Sequence, residues 1–197
     1  VFRSERALKT MEELGNAAKK TYHRENAEIT AQGMRIDRIL RDGDEISLGD
    51  VTVKAYETPG HTDCSMSYMV LPEKILISVE STGLLRGPGR ISTAPLKDMD
   101  ACITSAQRLK ELDYNCLILP HYGVCPYNYR YDFFDDYIAE QKAEKKLIEG
   151  GIAAGLSEQE IFEEHKKRYW TEARAKAQPY EAYKMNTEIV IRQLMNR

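Results

Sequence analysis

An α/β protein with a C-terminal helical appendage is what this sequence predicts, and three observations predict it. Short alternating strand patterns occupy the chain from about residue 36 to residue 80. One helical stretch then leads to a further strand that delivers Pro120-His121, and everything after His121 has helical spacing.

Taken in order, Val1-Phe2-Arg3-Ser4 reads as a strand end running into a helix. From Ser4 to about Glu28 the composition is rich in Ala, Glu, Lys and Arg, with Ala7, Leu8, Met11 and Leu14 at helical spacing and Ser4 as N-cap. Ile36 to Leu40 and Glu45 to Leu48 alternate apolar and polar around Asp42-Gly43, which predicts a hairpin. Strands follow at Val51–Glu57, Met66–Leu71 and Lys74–Val79, separated by Gly, Pro or Asp. A helix from about Leu96 to Leu112 and a strand over Asn115–Leu119 complete a β, β, β, α, β series.

Beyond it, Tyr131 to Ile148 carries Phe134, Tyr137, Ile138, Ala143 and Leu147 at helical spacing, with Gly150-Gly151 as the expected stop. Ser157-Glu158-Gln159-Glu160 reads as a capping box, with Leu156 and Ile161 placed as a hydrophobic staple. A last helix is expected from Tyr180 to Met195, after Pro179. The expected division is residues 1–125 for the α/β part and 126–197 for the helical extension packed on it.

Bulk properties narrow the function classes. Twenty-eight basic residues against 31 acidic ones, a net charge of −3, argue against a partner held by its phosphates. Lys145-Lys146 and Lys166-Lys167-Arg168 therefore read as solvated helix faces. The four cysteines, Cys64, Cys102, Cys116 and Cys125, form no Cys-x-x-Cys pair, which predicts reduced thiols in a cytoplasmic protein. No run of about eighteen apolar residues occurs, so no membrane helix is expected. Because Val1 is not a methionine, we expect further sequence upstream.

Chemistry concentrates at strand ends. Two of the four histidines follow a short strand and a proline turn: His61 in Thr58-Pro59-Gly60-His61-Thr62 and His121 in Leu119-Pro120-His121-Tyr122-Gly123. A strand end holds a side chain rigidly, and the turn leaves the imidazole uncovered, as a metal ligand requires. Glu80 ends the apolar run Ile75 to Val79, where a buried carboxylate would need a compensating charge. Two imidazoles and a carboxylate suit zinc or non-haem iron. Asp63 and Ser65 are candidates for support of His61, with turn formation and capping as equal accounts. His165 shares a face with Ile161, Phe162 and Tyr169, which predicts a hydrogen-bonded, partly buried residue; His23 is expected in solvent. Gly87-Pro88-Gly89 is too short for a phosphate loop and reads as a turn. The aromatic run from Tyr127 to Phe134 is either helix core or the apolar wall of a pocket.

Pro59-Gly60-His61-Thr62, then Ser65-x-Ser67-Tyr68, an apolar strand ending in an acid, a helix, and Pro120-His121-x-Gly123 resemble the C-terminal half of the metallo-β-lactamase superfamily, from about Ile36 to Gly123. Phe2 to Ala7 resembles the passage after that family's first metal motif. The stretch Gln178-Pro179-x-x-Ala182-x-x-x-Asn186 resembles, more loosely, the helical extension of its lactonase-like and thioesterase-like branch. The resemblance implies an αββα sandwich of two facing sheets, two metal ions in the complete parent, and metal roles for His61, Glu80 and His121. It also implies a hydroxide on the metal attacking an ester, thioester, lactone or amide carbonyl of a small substrate. Tyr180 and Tyr183 of the tail are expected to narrow the entrance. Two features depart from the pattern: the family's His-x-His-x-Asp-His motif is nowhere in the sequence, and Val79-Glu80 stands where Gly-Asp is usual. The 197 residues alone are therefore expected to hold metal weakly, to be inactive and to self-associate, with a homodimer as the expected assembly. A regulatory or binding module that keeps the fold is the competing reading. A di-iron redox protein is a third, for which the usual flavin domain is not visible.

Overall fold

The computed structural model describes the backbone of residues 2–4 and all of residues 37–197. The predicted N-terminal helix beyond Ser4, and His23, lie outside the described residues; Ser4, its expected cap, ends a short strand.

Ten strands and five α-helices are described. Strands β1 (Phe2–Ser4), β2 (Arg38–Leu40), β3 (Glu45–Ser47), β4 (Thr52–Glu57), β5 (Met66–Leu71) and β6 (Ile75–Ile77) precede a 3-10 turn at Glu80–Thr82 and a small hairpin, β7 (Leu84–Leu85) and β8 (Ile91–Ser92). Helix α1 (Met99–Lys110), β9 (Cys116–Leu119) and β10 (Gly123–Val124) follow. The tail is α2 (Phe133–Ala153), α3 (Glu158–Tyr169), α4 (Glu172–Ala177) and α5 (Tyr180–Met195).

Six strands form one sheet in the order β10-β9-β6-β5-β4-β3. Within it β6 and β9 are parallel, while β5 runs antiparallel to both β6 and β4. Strands β4, β6 and β9 consequently point the same way, and the loops leaving their C-terminal ends open on one edge of the sheet. That edge carries His61, Glu80 and His121.

Period-two alternation divides the sheet's side chains between two cores. Met69, Leu76, Leu117 and Leu119 pack with Phe133, Phe134 and Tyr137 of α2 and with Ala106 and Leu109 of α1. Ala55 and Met66 face the other way, against Leu40. A third cluster joins Ile148, Ile161, Phe162, Tyr183 and Ile191 of the helical tail to Met99. Helix α2 thus serves two cores, the sheet's through its first turns and the tail's through Ile148.

Two expectations are corrected here. The predicted hairpin over residues 36–48 does not form: the turn at Asp42-Gly43 is present, but β2 pairs in parallel with β1 while β3 pairs with β4. The strands diverge because the turn is pulled to the main sheet, where Gly43 N–H donates to the Ala55 carbonyl and Asp42 accepts from Glu57 N–H and from the Arg108 guanidinium. Nor does Gly150-Gly151 stop α2. The helix continues to Ala153 because a Cβ at Gly151 would lie 2.7 Å from Ile161 Cγ1, so that glycine serves the packing of α2 on α3. The stop is Gly155, at φ 73°, with Gly155 N–H donating to Ile152 O and Leu156 N–H to Gly151 O, a Schellman pattern. The capping box forms as expected, with Ser157 Oγ accepting from Glu160 N–H and Glu160 Oε2 accepting from Ser157 N–H. Helix α5 has its predicted bounds, and the short α4 had no sequence signal beyond the capping Thr171.

Candidate metal centre

Strand β4 ends at Glu57 and the chain turns through Thr58-Pro59-Gly60 to His61. Gly60 has φ 134°, and its carbonyl accepts from Lys97 and Asp98 N–H just ahead of α1. A Cβ there would stand 2.6 Å from Cys102 N and 2.9 Å from Cys102 Cα, so only glycine lets this loop lie against the helix. His61 itself is held at two points: its backbone N–H donates to Ser81 Oγ (3.1 Å), and its ring lies with Nδ1 2.7 Å from the Ala94 carbonyl. A carbonyl only accepts, so Nδ1 carries the proton and Nε2 keeps its lone pair, the tautomer a metal-ligating histidine adopts.

Glu80 begins the 3-10 turn three residues beyond β6, and Thr82 closes that turn by donating both N–H and Oγ1–H to the Val79 carbonyl. His121 follows β9 with a left-handed backbone, φ 60°, where β-carbon crowding makes most residues costly. Its Nε2 donates to Glu80 Oε1 at 3.1 Å.

Strand spacing accounts for this pattern. Strands β6 and β9 are neighbours, roughly 4.8 Å apart, so their terminal residues meet directly. Strand β4 is separated from β6 by β5, roughly 10 Å away, and His61 must return along the Pro59-Gly60 turn. All three side chains border one cavity of ≈ 150 Å³, with Glu144, Gln178 and Asn186 also lining it. Among the described residues no three His, Cys, Asp or Glu side chains stand close enough to form a complete ligand cluster. The donor set still fits a metal chemically: one imidazole nitrogen fixed as a free lone pair, and an imidazole and a carboxylate already paired across the cavity.

The remaining sequence candidates fall elsewhere. Asp63 is exposed and forms a 3.9 Å ion pair with Lys97, and Ser65 Oγ accepts from Thr62 N–H and lies 2.8 Å from Thr62 Oγ1, so both serve the turn after His61. Tyr183 is fully buried, with its hydroxyl 2.8 Å from His165 Nδ1, and Tyr180 packs on Trp170 at 5.2 Å; neither borders the cavity. Their expected place at the entrance is not what the structure shows, because α5 turns Asn186, Thr187 and Val190 to the cavity instead. His165 is hydrogen-bonded between Tyr183 and Glu144 as expected, but at 1% exposed it is fully rather than partly buried. In the aromatic run, Phe133 and Phe134 are core and none of the run lines this cavity.

Sequence reasoning missed Arg86, Glu144 and Arg174, which border the same cavity. Arg86 follows two apolar residues in an unpredicted hairpin, and the other two sit in a helical pattern rich in charge, so nothing in the spacing singled them out.

No protein-family model matches the chain. A hydroxyacylglutathione hydrolase of Rhizobium etli is 41% identical over 64 residues, 32% of this chain and 25% of that protein. The match thus spans about a quarter of that relative's length. Among solved structures, a metallo-β-lactamase family protein of Thermus thermophilus superposes with TM-score 0.58 at 16% identity, covering 98% of this chain and 66% of that one. An archaeal metallo-β-lactamase superfamily protein of Sulfolobus tokodaii gives TM-score 0.55 at 18% identity, covering 71% and 57%. The chain has the metallo-β-lactamase fold.

Proposed function

We propose that this chain, folded as a metallo-β-lactamase-like α/β structure, carries half of the site of a metal-dependent hydrolase, with His61, Glu80 and His121 as its share of the ligands. The observation that carries the reading is their convergence: three loops from the same edge of one sheet bring them to a single cavity, with His61 Nδ1 tied back to Ala94 and Glu80 joined to His121. Zinc or iron, as two ions in the complete site, would supply the Lewis acidity that polarises a carbonyl and lowers the pKa of water toward neutrality. This chain's residues would bind and orient: His61 Nε2 and His121 as neutral donors, Glu80 as the anionic one.

The substrate class we propose is a small ester, thioester, lactone or amide. Four free cysteines support a reducing, cytoplasmic setting, and no described helix is long and apolar enough to cross a membrane. Leu48 and Val124, exposed beside the two edge strands of the main sheet, support self-association as a homodimer. A non-catalytic module is the second reading, favoured by the lack of a complete ligand cluster among the described residues.

The test uses the protein expressed from its complete reading frame. Elemental analysis should find zinc or iron, and a panel of 4-nitrophenyl esters, thioesters and lactones should be hydrolysed. His61→Ala and His121→Ala should lose metal and turnover together. Full turnover in either variant would sink the hydrolase assignment, and folded, metal-free, inert wild-type protein would favour the module.

A further inference from the structure

Two guanidinium groups border the candidate metal cavity, Arg86 on the turn after β7 and Arg174 on α4, and the same two border a second, larger cavity of ≈ 640 Å³. They therefore mark the passage between the two spaces. Both are half-buried, and neither finds an ion-pair partner among the described residues. Arg86 Nε is buried with no hydrogen-bond partner among the described residues. Arg174 lies with its guanidinium carbon 4.9 Å from the centre of the Tyr183 ring and reaches Gln178 Oε1 only at 3.5 Å.

The neighbouring acids are otherwise engaged. Glu144 accepts from His165 Nε2 at 2.8 Å and from Gln141 at 3.4 Å. In the larger cavity, Glu140 pairs with Arg168 at 3.9 Å, and Asp136 accepts from the Tyr129 hydroxyl at 2.7 Å. Burial draws both arginines below their ordinary range; for Arg174 the Glu144 charge opposes this and the Arg86 charge adds to it. Two like charges partly withdrawn from water, with no ion pair among the described residues, are a standing cost, and a fold retains such a pair where a ligand supplies the missing charge. Gln178 and Asn186, on the wall of the smaller cavity, add neutral donors.

We propose that Arg86 and Arg174 form an oxyanion-binding subsite, so that the substrate carries a carboxylate or phosphate group displaced from the bond cleaved beside His61, Glu80 and His121. Two guanidinium forks match such a group in shape as well as charge. The assignment of that bond rests on the hydrolase reading; the anion subsite itself does not.

The experiment compares 4-nitrophenyl hydrogen adipate with 4-nitrophenyl hexanoate, which differ by the terminal carboxylate, on the full-length protein. A charge-assisted hydrogen bond is worth about ten- to a hundredfold, so kcat/KM should favour the adipate ester by about that factor. The ratio should fall toward unity in Arg86→Gln and in Arg174→Gln, stay intermediate in Arg174→Lys, and persist in Arg168→Gln. No preference in the wild type, or a ratio unchanged in the Gln variants, overturns the proposal. Should neither ester be turned over, the hydrolase reading is what has failed, and titration of inorganic phosphate into EDTA-treated protein decides the subsite. Binding weakened at least about tenfold in both Gln variants supports it, and equal or absent binding overturns it. Thermal melting checks folding: having no ion pair to lose among the described residues, Arg86→Gln should melt no lower than the wild type, and Arg174→Gln should lose little, since only its contacts with the Tyr183 ring and Gln178 go.

Discussion

Gly60→Ala separates the two reasons a glycine stands before His61. The first is conformational: φ 134° belongs to a region that residues with a β-carbon rarely occupy, at a cost of about 1–3 kcal/mol. The second is steric, because the new methyl would sit 2.4 Å from Cys102 Sγ, 2.6 Å from Cys102 N and 2.9 Å from Cys102 Cα. A thiol can rotate away, but the backbone of α1 cannot, and overpacking of this kind costs about a further 1–3 kcal/mol. The sum is about 2–6 kcal/mol. Gly49→Ala is the control, since Gly49 has φ 86° with nothing within 4 Å of an added Cβ, and should lose only about 1–2 kcal/mol. Urea unfolding followed by far-UV circular dichroism reads both, provided the slope against denaturant stays constant. If the two variants agree to within about 0.5 kcal/mol, the close approach to α1 is not a determinant of stability and the account of Pro59-Gly60-His61 is wrong.

Three further outcomes are expected. Glu80→Ala should lower bound metal measured by elemental analysis, and the unpaired His121 should become more accessible to diethyl pyrocarbonate; unchanged metal content would remove Glu80 from the ligand set. The hydrogen bond from Arg108, against a smaller opposing effect of burial, holds the Asp42 carboxyl below its ordinary 3.8. Its contribution is thus fully present above about pH 4 and lost as pH falls through the lowered value, amounting to less than about 1 kcal/mol because the pair is exposed. Asp42→Asn should flatten the acid limb of stability against pH, and an unchanged limb would count against the pair. Ser157→Ala should cost about 1 kcal/mol in urea unfolding through loss of the capping box, whereas an effect below about 0.3 kcal/mol would mean α3 is held by packing alone.

What was legible in the sequence follows how local each signal is. Residues Met66 to Leu71, the capping box at Ser157 and helix α5 could be read from neighbouring residues, because alternation, a cap and a proline act over a few positions. The hairpin at residues 36–48 misled because both strands alternate correctly and the turn is real, while their partners lie at residues 2–4 and 52–57. Gly150-Gly151 misled for a related reason: a glycine that stops a helix and one that admits a neighbour's isoleucine look alike until α3 is in place. The strand-end positions of His61, Glu80 and His121 could be read because each is fixed by the strand it follows. Arg86, Glu144 and Arg174 belong to three different elements, and only the folded chain brings them to one cavity.

The helical tail is connected to that cavity by more than packing. The Tyr137 hydroxyl lies 2.9 Å from the Ser81 carbonyl oxygen and from Gln141 Oε1, Gln141 reaches Glu144, Glu144 accepts from His165, and His165 meets the Tyr183 hydroxyl. Every one of these groups is nearly excluded from solvent, with Gln141 0%, Glu144 4% and His165 1% exposed, so each depends on the next for its hydrogen bonds. One end of the series is Ser81, which follows Glu80 and whose Oγ holds the backbone of His61. The other is Tyr183, whose ring supports Arg174. The proposed ligands and the proposed anion subsite are therefore positioned by a single buried polar series running from the 3-10 turn through α2 and α3 to α5. A change in how the tail packs would reach both sites, because a half-satisfied network of this kind costs more than an apolar one.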